Sequence, residues 1–559
     1  MPVKKKSIED TYQKKTPLEH ILDIPDTYIG SVEKTEVETW VYSDVDNKIV
    51  YRNIHYIPGL YKIFDEVLVN AIDQHVRIEN DTQVKHKVTE IKVHIDKENN
   101  KISVYNNGIG IPIVEHQEHK IYIPELIFGN LLTSSNYDKD EKKITGGKNG
   151  YGAKLANIFS KRFKLTTIDH EKKLKYEQVF EKNMSIKNKP VITKCTEKPY
   201  TIIEFEPDLE RFNIDNINSD TISLMQKRVF DCTACTNKNV SVYLNDTKLE
   251  TKTLEKYVSY YLDDSVERVY EQISDRWEVV MGVSPDAKFD HVSFVNGIST
   301  IKGGKHVDYI VNGLTKRLQT YVSTKGYKRK KMDLKTAHLK ENMFIFVRST
   351  IENPSFDSQI KEYLTTPSSK FGSACGVSEK FVEKVLKTSL IERAIKLNDF
   401  KDNLGLQKMS GKKTSNVRGI EKLDDANKAG TNESLQCTLI LTEGDSAKAL
   451  AIAGLSVIGR DHYGVFPLRG KILNVRDINM KRVMDNHEIS SLVKIMGLKF
   501  SKAKDPNDVM KDLRYGRILI LTDADVDGSH IKGLLINLFS VFWPELLNSP
   551  GFLMSLATP

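Results

Sequence analysis

Three observations predict a multidomain chain of mixed α+β and α/β class. At 559 residues the chain exceeds one ordinary domain and suggests roughly three or four. In its first part, strand-like alternation at Ile91, Val93 and Ile95, and again at Ile102 and Val104, is interleaved with helical patterns. From Cys437 onward, apolar runs end abruptly in acidic residues and helical patterns follow, as parallel strands in an α/β sheet would produce. The expected partition is a first domain over residues 1–240 and a second mixed domain over 241–397. A linker or extended surface segment over 398–435 follows, rich in Lys, Asp, Asn and Gly, and then an incomplete α/β domain over 436–559. No fixed-period repeat is visible, which argues against a solenoid.

Composition fits a water-exposed globular chain, with 39% apolar and 28% charged residues. No apolar stretch approaches the length of a bilayer span. The start, MPVKKKSIED, is basic but has no apolar core behind it, so it is not a secretory signal. The 83 basic and 75 acidic residues leave a net charge of +8, compatible with a nucleic-acid partner but not evidence for one. Five cysteines do not make a disulfide framework at this length. Cys232 and Cys235 have C-x-x-C spacing, but no second ligand pair follows nearby, so buried thiols are expected rather than a four-ligand zinc site.

The sequence contains no G-x-x-x-x-G-K-[ST], which argues against a P-loop nucleotide site. Other parts could build one. In LYKIFDEVLVNAIDQ the apolar residues Leu60, Ile63, Phe64, Val67, Leu68, Ala71 and Ile72 mark one helix face. Glu66, Asn70 and Asp73 share another, as either a solvated polar stripe or a functional one. In VYNNGIGIP a strand ends at Asn106 and Asn107, and Gly108 and Gly110 allow a sharp turn against a ligand. GGKNGYGAKLANIFSKRF then opens a helix behind Gly146, Gly147, Gly150 and Gly152. Such a loop can aim backbone N–H groups at phosphates, with Lys148 and Lys154 adding charge.

In this order the segments resemble the ATP site of the GHKL superfamily. The stretch IPELIFGNLLTSSNYDKDEKKITGGKNGYGAKLANIFS narrows the resemblance to the eukaryotic-type DNA topoisomerase II branch of the type IIA DNA topoisomerases. That resemblance implies a GHKL (Bergerat) ATPase domain, a transducer domain of ribosomal-protein-S5-like fold and a Toprim domain. It implies Glu66 as general base and Asn70 as the residue holding Mg²⁺ on the triphosphate of ATP. It also implies nucleotide contacts by Asn107, Ser134, Ser135 and Asn136, and a phosphate wrap of Gly147, Lys148, Asn149, Gly150, Tyr151, Gly152, Ala153 and Lys154. Tyr28, in IPDTYIGSVE, matches an arm residue that reaches the partner subunit's nucleotide. Ile24 stands where the family usually has Arg.

The second region contains NPSFDSQIKEYLTTPSSKFGS, which resembles the family's transducer signature Gln-Thr-Lys, here Gln359-Ile360-Lys361. The resemblance implies that Lys361 reaches the γ-phosphate of ATP as a point charge. Ile360 replaces the usual Thr, removing one hydroxyl contact. The basic run KGYKRKK is either a solvated loop or a DNA-facing one. The family places a DNA-contacting loop there, with Lys328, Arg329, Lys330 and Lys331 on phosphates.

In the last region, the run Thr438 to Thr442 precedes Glu443, and the run Ile518 to Thr522 precedes Asp523, Asp525 and Asp527. Acidic groups at the carboxyl ends of parallel strands lie where open α/β sheets bind ligands. Several together repel one another unless a cation joins them, and hard oxygen donors suit Mg²⁺. The pair of segments resembles the Toprim fold. The resemblance implies Glu443, Asp523 and Asp525 as metal ligands, with Asp527 supporting, and Lys471 and Asn474 at DNA. Glu443 is also a candidate proton donor to the leaving 3′ oxygen. DADVDG is the form found in bacterial gyrase B subunits, whereas the surrounding residues are eukaryote-like, so a mixed or viral lineage is expected.

A type IIA enzyme also needs a nucleophilic tyrosine, and none of the 23 tyrosines has a matching context. The expectation is therefore an ATPase–Toprim part without the winged-helix tyrosine domain, unable to cleave DNA alone. That half would lie in the same full-length chain or in a separate subunit. The implied partners are duplex DNA and a second copy of the chain, and the implied location is the nucleus, or the cytoplasm or virion for a viral protein. Two alternatives stay open: a gyrase-B-like subunit of a split enzyme, and a non-cleaving GHKL ATP-gated clamp.

Overall fold

The structure is a computed structural model, which describes residues 14–79, 81–131, 133, 142–147, 150–327, 334–417, 419–476, 478, 480–500 and 506–558. The chain divides into two compact units. The first is Met1–Lys330 with Leu339–Ile391, and the second is Lys331–His338 with Glu392–Pro559.

The first unit contains a nine-stranded sheet. Its centre runs in the order Ser241–Leu244, Glu90–Asp96, Lys101–Asn107, Tyr200–Pro207, Ser160–Asp169 and Leu174–Glu181. The alternation read at Ile91, Val93 and Ile95, and at Ile102 and Val104, is the buried face of two of these strands. Helices Pro58–Glu79, Gly152–Ile158 and Ser219–Cys235 pack together. The seven apolar residues read on the first of these helices are all buried. The same unit holds a five-stranded sheet, ordered Arg268–Ser274, Trp277–Val283, Met343–Ser349, Asp290–Val295 and Ile298–Ser299. Helix Lys305–Thr324 packs on its Met343–Ser349 strand. Cys232 is a buried free thiol and Cys235 a half-buried one, and burial pushes both well up, as expected of structural cysteines.

The second unit is built on a parallel four-stranded sheet, ordered Tyr463–Pro467, Thr438–Thr442, Arg517–Asp523 and Leu553–Thr558. Helices Asp445–Ile458 and Val526–Phe542 follow two of the strands directly and pack back on the sheet. No helix among the described residues is long and apolar enough to cross a membrane.

The segment 398–435 differs from the expected linker. Its first part is the end of helix Leu390–Met409. Its later part packs on the second unit, where Ala426 and Ala429 are buried in the core with Ile420 and Leu423 against it. The physical reason is Arg514, which is fully buried. It donates to the Thr414 carbonyl at 2.6 Å and the Ile495 carbonyl at 2.9 Å, and pairs with Asp425 at 2.5 Å. The buried guanidinium thus adds charge-assisted bonds that help to hold a segment poor in apolar residues.

Candidate nucleotide site and carboxylate centre

A cavity of about 570 Å³ opens in the first unit between helix Pro58–Glu79 and the nine-stranded sheet, with Glu66, Asn70, Asp73, Gly147, Gly150, Tyr151, Gly152, Lys154, Gln359 and Lys361 in its wall. The polar stripe of the helix therefore faces a cavity rather than solvent. Val104 and Asn106 from one strand and Thr201 and Ile203 from its neighbour supply the opposite wall.

Glu66 is 3% exposed. Its Oε1 lies 2.8 Å from Lys62 Nζ and 3.5 Å from Lys361 Nζ. Burial alone would push the carboxyl up, but Lys361 and Lys62 more than offset it and hold Glu66 below the usual carboxylate range. The group is thus ionised at neutral pH, as a general base must be. Lys361 is 5% exposed, donates to the Gly146 carbonyl at 3.3 Å, and has φ 67°. A lysine rarely adopts this left-handed conformation. Asn70 also lines the cavity, and its Nδ2 is buried without a hydrogen-bond partner.

The Gly-rich loop is anchored by Asp73, whose two carboxylate oxygens accept from Gly146 N at 2.7 Å and Gly147 N at 2.8 Å. Burial pushes the Asp73 carboxyl up, against these bonds. Gly150 has φ 71°. Gly152 begins helix Gly152–Ile158, and a Cβ there would stand 2.1 Å from Glu66 Oε2. Gly152→Ala is therefore expected to displace the carboxylate. A misplacement of that order should lower ATP turnover by about 10²-fold, in a protein that still binds nucleotide. Turnover within twofold of the parent would contradict the assignment.

Lys154 is buried, and its ammonium donates to the Thr133 carbonyl at 2.8 Å and the Gly150 carbonyl at 2.7 Å. Burial pulls it down to about 8. A buried cation held by carbonyls fits an anionic ligand that supplies the countercharge.

Two expectations change, at Asn107 and Gly110. Asn107, expected at the nucleotide, instead caps the strand Glu90–Asp96: its Oδ1 accepts from Thr89 N at 2.8 Å and Glu90 N at 2.9 Å, and its Nδ2 donates to Thr89. Its neighbour Asn106 lines the cavity, because side chains alternate along a strand and Asn106 shares the face of Val104. Gly110 lies against strand rather than ligand, since a Cβ there would be 1.9 Å from the Ile168 carbonyl oxygen. Ile360 packs at Gly30, where a Cβ would meet its Cδ1 at 2.7 Å. Tyr28 bonds to His20 Nδ1 at 2.9 Å and packs against the ring of Tyr151. Ser134, Ser135, Asn136, Lys148, Asn149 and the basic residues Lys328, Arg329, Lys330 and Lys331 lie outside the described residues, as does the side chain of Ala153.

In the second unit, Glu443 leaves the end of strand Thr438–Thr442, and Asp523 ends strand Arg517–Asp523. Asp525 caps helix Val526–Phe542, accepting from Gly528 N at 2.7 Å. Burial, then Asp525, Asp523 and Asp527, push the Glu443 carboxyl up, while Lys471 acts the other way. Asp527 pairs with Lys471 at 2.9 Å, which holds it down. Asn474 Oδ1 accepts from Arg476 N at 3.1 Å and from Asn537. The oxygens are more widely spread than a closed coordination shell. Among the described residues, the trio with ligand atoms within 4.8 Å of one another is His116, Glu118 and His119, on a loop before helix Ile123–Gly129.

The sequence matches three families: the histidine kinase-, DNA gyrase B- and HSP90-like ATPase over 56–210, DNA gyrase B over 239–403, and the Toprim domain over 438–557. The DNA topoisomerase 2 of Pisum sativum is 50% identical over 99% of this chain, and DNA topoisomerase 2-alpha of Homo sapiens 48% over 100%. The chain spans 37% and 36% of the length of these relatives. Among solved structures, the ATPase region of Saccharomyces cerevisiae topoisomerase II covers 70% of this chain and all of its own, at 45% identity and a TM-score of 0.65. The ATPase and transducer domains of DNA topoisomerase II from Balamuthia mandrillaris cover 71% and 99%, at 44% identity and a TM-score of 0.66. An ATPase region matched end to end, followed by a Toprim domain, leaves one conclusion: the chain belongs to the type IIA DNA topoisomerase family.

Proposed function

We propose that this chain is the ATP-hydrolysing and metal-binding part of an ATP-dependent type II DNA topoisomerase, which passes one duplex through another to relax or decatenate DNA. The observation that carries the reading is the convergence of Glu66 and Lys361, nearly 300 residues apart in sequence, on one cavity. Glu66 would take the proton of the attacking water, and Lys361 would meet the γ-phosphate. Gly147 to Lys154 would wrap the phosphates, and Asn106 would face the base. Asn70, in the cavity wall, would hold the Mg²⁺ of the nucleotide through its carbonyl oxygen. The matches over 56–210, 239–403 and 438–557 support ATPase, transducer and Toprim domains over 1–240, 241–397 and 436–559.

Glu443, Asp523 and Asp525 offer the oxygen donors that a hard divalent cation prefers. Such a cation, when bound, would neutralise and orient a DNA phosphate. The close topoisomerase 2 relatives support a homodimer acting on duplex DNA in the nucleus, with the nucleophilic tyrosine in a further part of the enzyme. Loss of Mg²⁺ binding in Asp523→Ala, by calorimetry, is expected here and not for an ATP-gated clamp without a carboxylate centre.

The test is steady-state ATP hydrolysis with and without duplex DNA at two salt concentrations. Stimulation by DNA that fades with salt is expected, because phosphate contacts release counterions. No hydrolysis under any condition would overturn the reading. Lys154 adds a pH dependence. Its folded value of about 8 lies below the 10.5 of an ordinary lysine. The buried charge therefore lowers stability at neutral pH, and that penalty fades as pH rises through about 8. Nucleotide affinity should run the opposite way, weakening from pH 7 to 9 as the countercharge is lost. Lys154→Arg, charged throughout, should flatten the titration.

A further inference from the structure

Between strand Lys101–Asn107 and helix Ile123–Gly129 the chain doubles back on itself. Ile123 N donates to the Val114 carbonyl at 3.0 Å, His116 N to the Ile121 carbonyl at 2.8 Å, and Lys120 N to the His116 carbonyl at 2.9 Å. Glu115 and Tyr122 form an antiparallel bridge, and Lys120 takes the turn at φ 53°. These bonds fix the backbone that carries His116, Glu118 and His119. The two imidazole rings are stacked, 4.6 Å apart between centroids and inclined at 28°. One ligand atom from each of the three residues lies within 4.8 Å of the others.

Two imidazoles and a carboxylate are a donor set for a zinc-class ion, with a fourth position left for water. Mg²⁺ prefers oxygen donors, so this trio selects a different metal from the carboxylates Glu443, Asp523 and Asp525. Bonds of about 2.0–2.2 Å place tetrahedral ligands about 3.4 Å apart. Closing to that spacing is within reach of side-chain rotation, because Glu118 and His119 are exposed and His116 is half-buried. His116 Nδ1 accepts from Glu118 N and His119 N, each at 3.3 Å. Coordination through either ring nitrogen gives up those two bonds. They are long, and water can serve the exposed N–H groups instead, so the cost is small.

His119 also lines the nucleotide cavity, as do Ile123, Leu126 and Ile127 of the helix that follows the turn. An ion on His119 therefore sets a doubly positive charge at the cavity wall and stiffens the turn that leads into that helix. Both effects favour a polyanion in the cavity. We infer that His116, Glu118 and His119 bind a divalent ion of the zinc class at the cavity wall, and that this ion tightens nucleotide binding there. The site stands on its own donors, whereas its linkage to nucleotide rests on the reading of the cavity as an ATP site.

The experiment is calorimetric titration of zinc chloride into the 559-residue chain, with excess Mg²⁺ present to fill the oxygen sites. Zinc affinity is expected to fall at least about tenfold in His116→Ala, Glu118→Gln and His119→Ala, since even an outer-shell partner is worth that much. Asp523→Ala should bind zinc as the parent does. Denaturation midpoints check the fold; should His116→Ala fail to fold, the two exposed positions decide. Affinity for a non-hydrolysable ATP analogue should rise about fivefold or more with zinc in the parent. It should be indifferent to zinc in Glu118→Gln, which leaves the cavity wall intact. Zinc binding unchanged in all three variants, or lost in Asp523→Ala instead, would overturn the site. Analogue affinity indifferent to zinc in the parent would overturn the linkage and leave the site standing. No analogue binding at any zinc concentration would remove the ATP reading, with the zinc titration still judging the site by itself.

Discussion

Glu66→Gln is expected to bind ATP and hydrolyse it about 10²–10⁴-fold more slowly, the range contributed by a positioned general base. The substitution keeps the shape of the side chain and removes its charge and its ability to accept a proton. Two features make the loss large. The carboxylate is buried, so bulk water cannot substitute for it, and flanking lysines keep it ionised. Asn70 and the Gly-rich loop are untouched, so affinity for a non-hydrolysable analogue should change little. Turnover within a few fold of the parent would mean that another group accepts the proton.

The second large effect is on stability. Arg514→Met should destabilise the second unit by about 3 kcal/mol, the lower end for breaking a buried pair, because Asp425 retains 26% exposure and some hydration. The two carbonyls at Thr414 and Ile495 would lose their donor as well. The loss should be local first. The chain around Thr414 would detach, and trypsin should cut faster after the exposed Lys412 and Lys413. An unchanged cutting rate together with an unchanged denaturation midpoint would show that the segment is held by other contacts.

Much of the nucleotide site was legible because its parts are local. Glu66, Asn70 and Asp73 follow from helical spacing, and the Gly-rich loop from four glycines before a helix. The carboxylate centre was legible for the same reason, since apolar runs ending in acid point to strand ends. What escaped depends on register or on distant partners. Asn106 and Asn107 are chemically identical, and only strand pairing tells which one faces the cavity. Lys62 looks like a solvated cation until Glu66 is seen beside it. The 398–435 segment reads as a linker because its anchor, Arg514, lies about a hundred residues downstream.

The order of strands in the second unit has a consequence for its synthesis. Thr438–Thr442 is fully buried at the centre of the parallel sheet, yet it precedes both its partners in the chain. One partner begins at Tyr463 and the other at Arg517, about eighty residues later. Parallel pairing over such separations is slow to form. A nascent chain emerging at about 5–20 residues per second would carry the uncharged run Thr-Leu-Ile-Leu-Thr without its second partner for about 4–16 s. Chaperone dependence of this unit during translation, and misfolding when synthesis is slowed between these strands, are the costs of placing the central strand first.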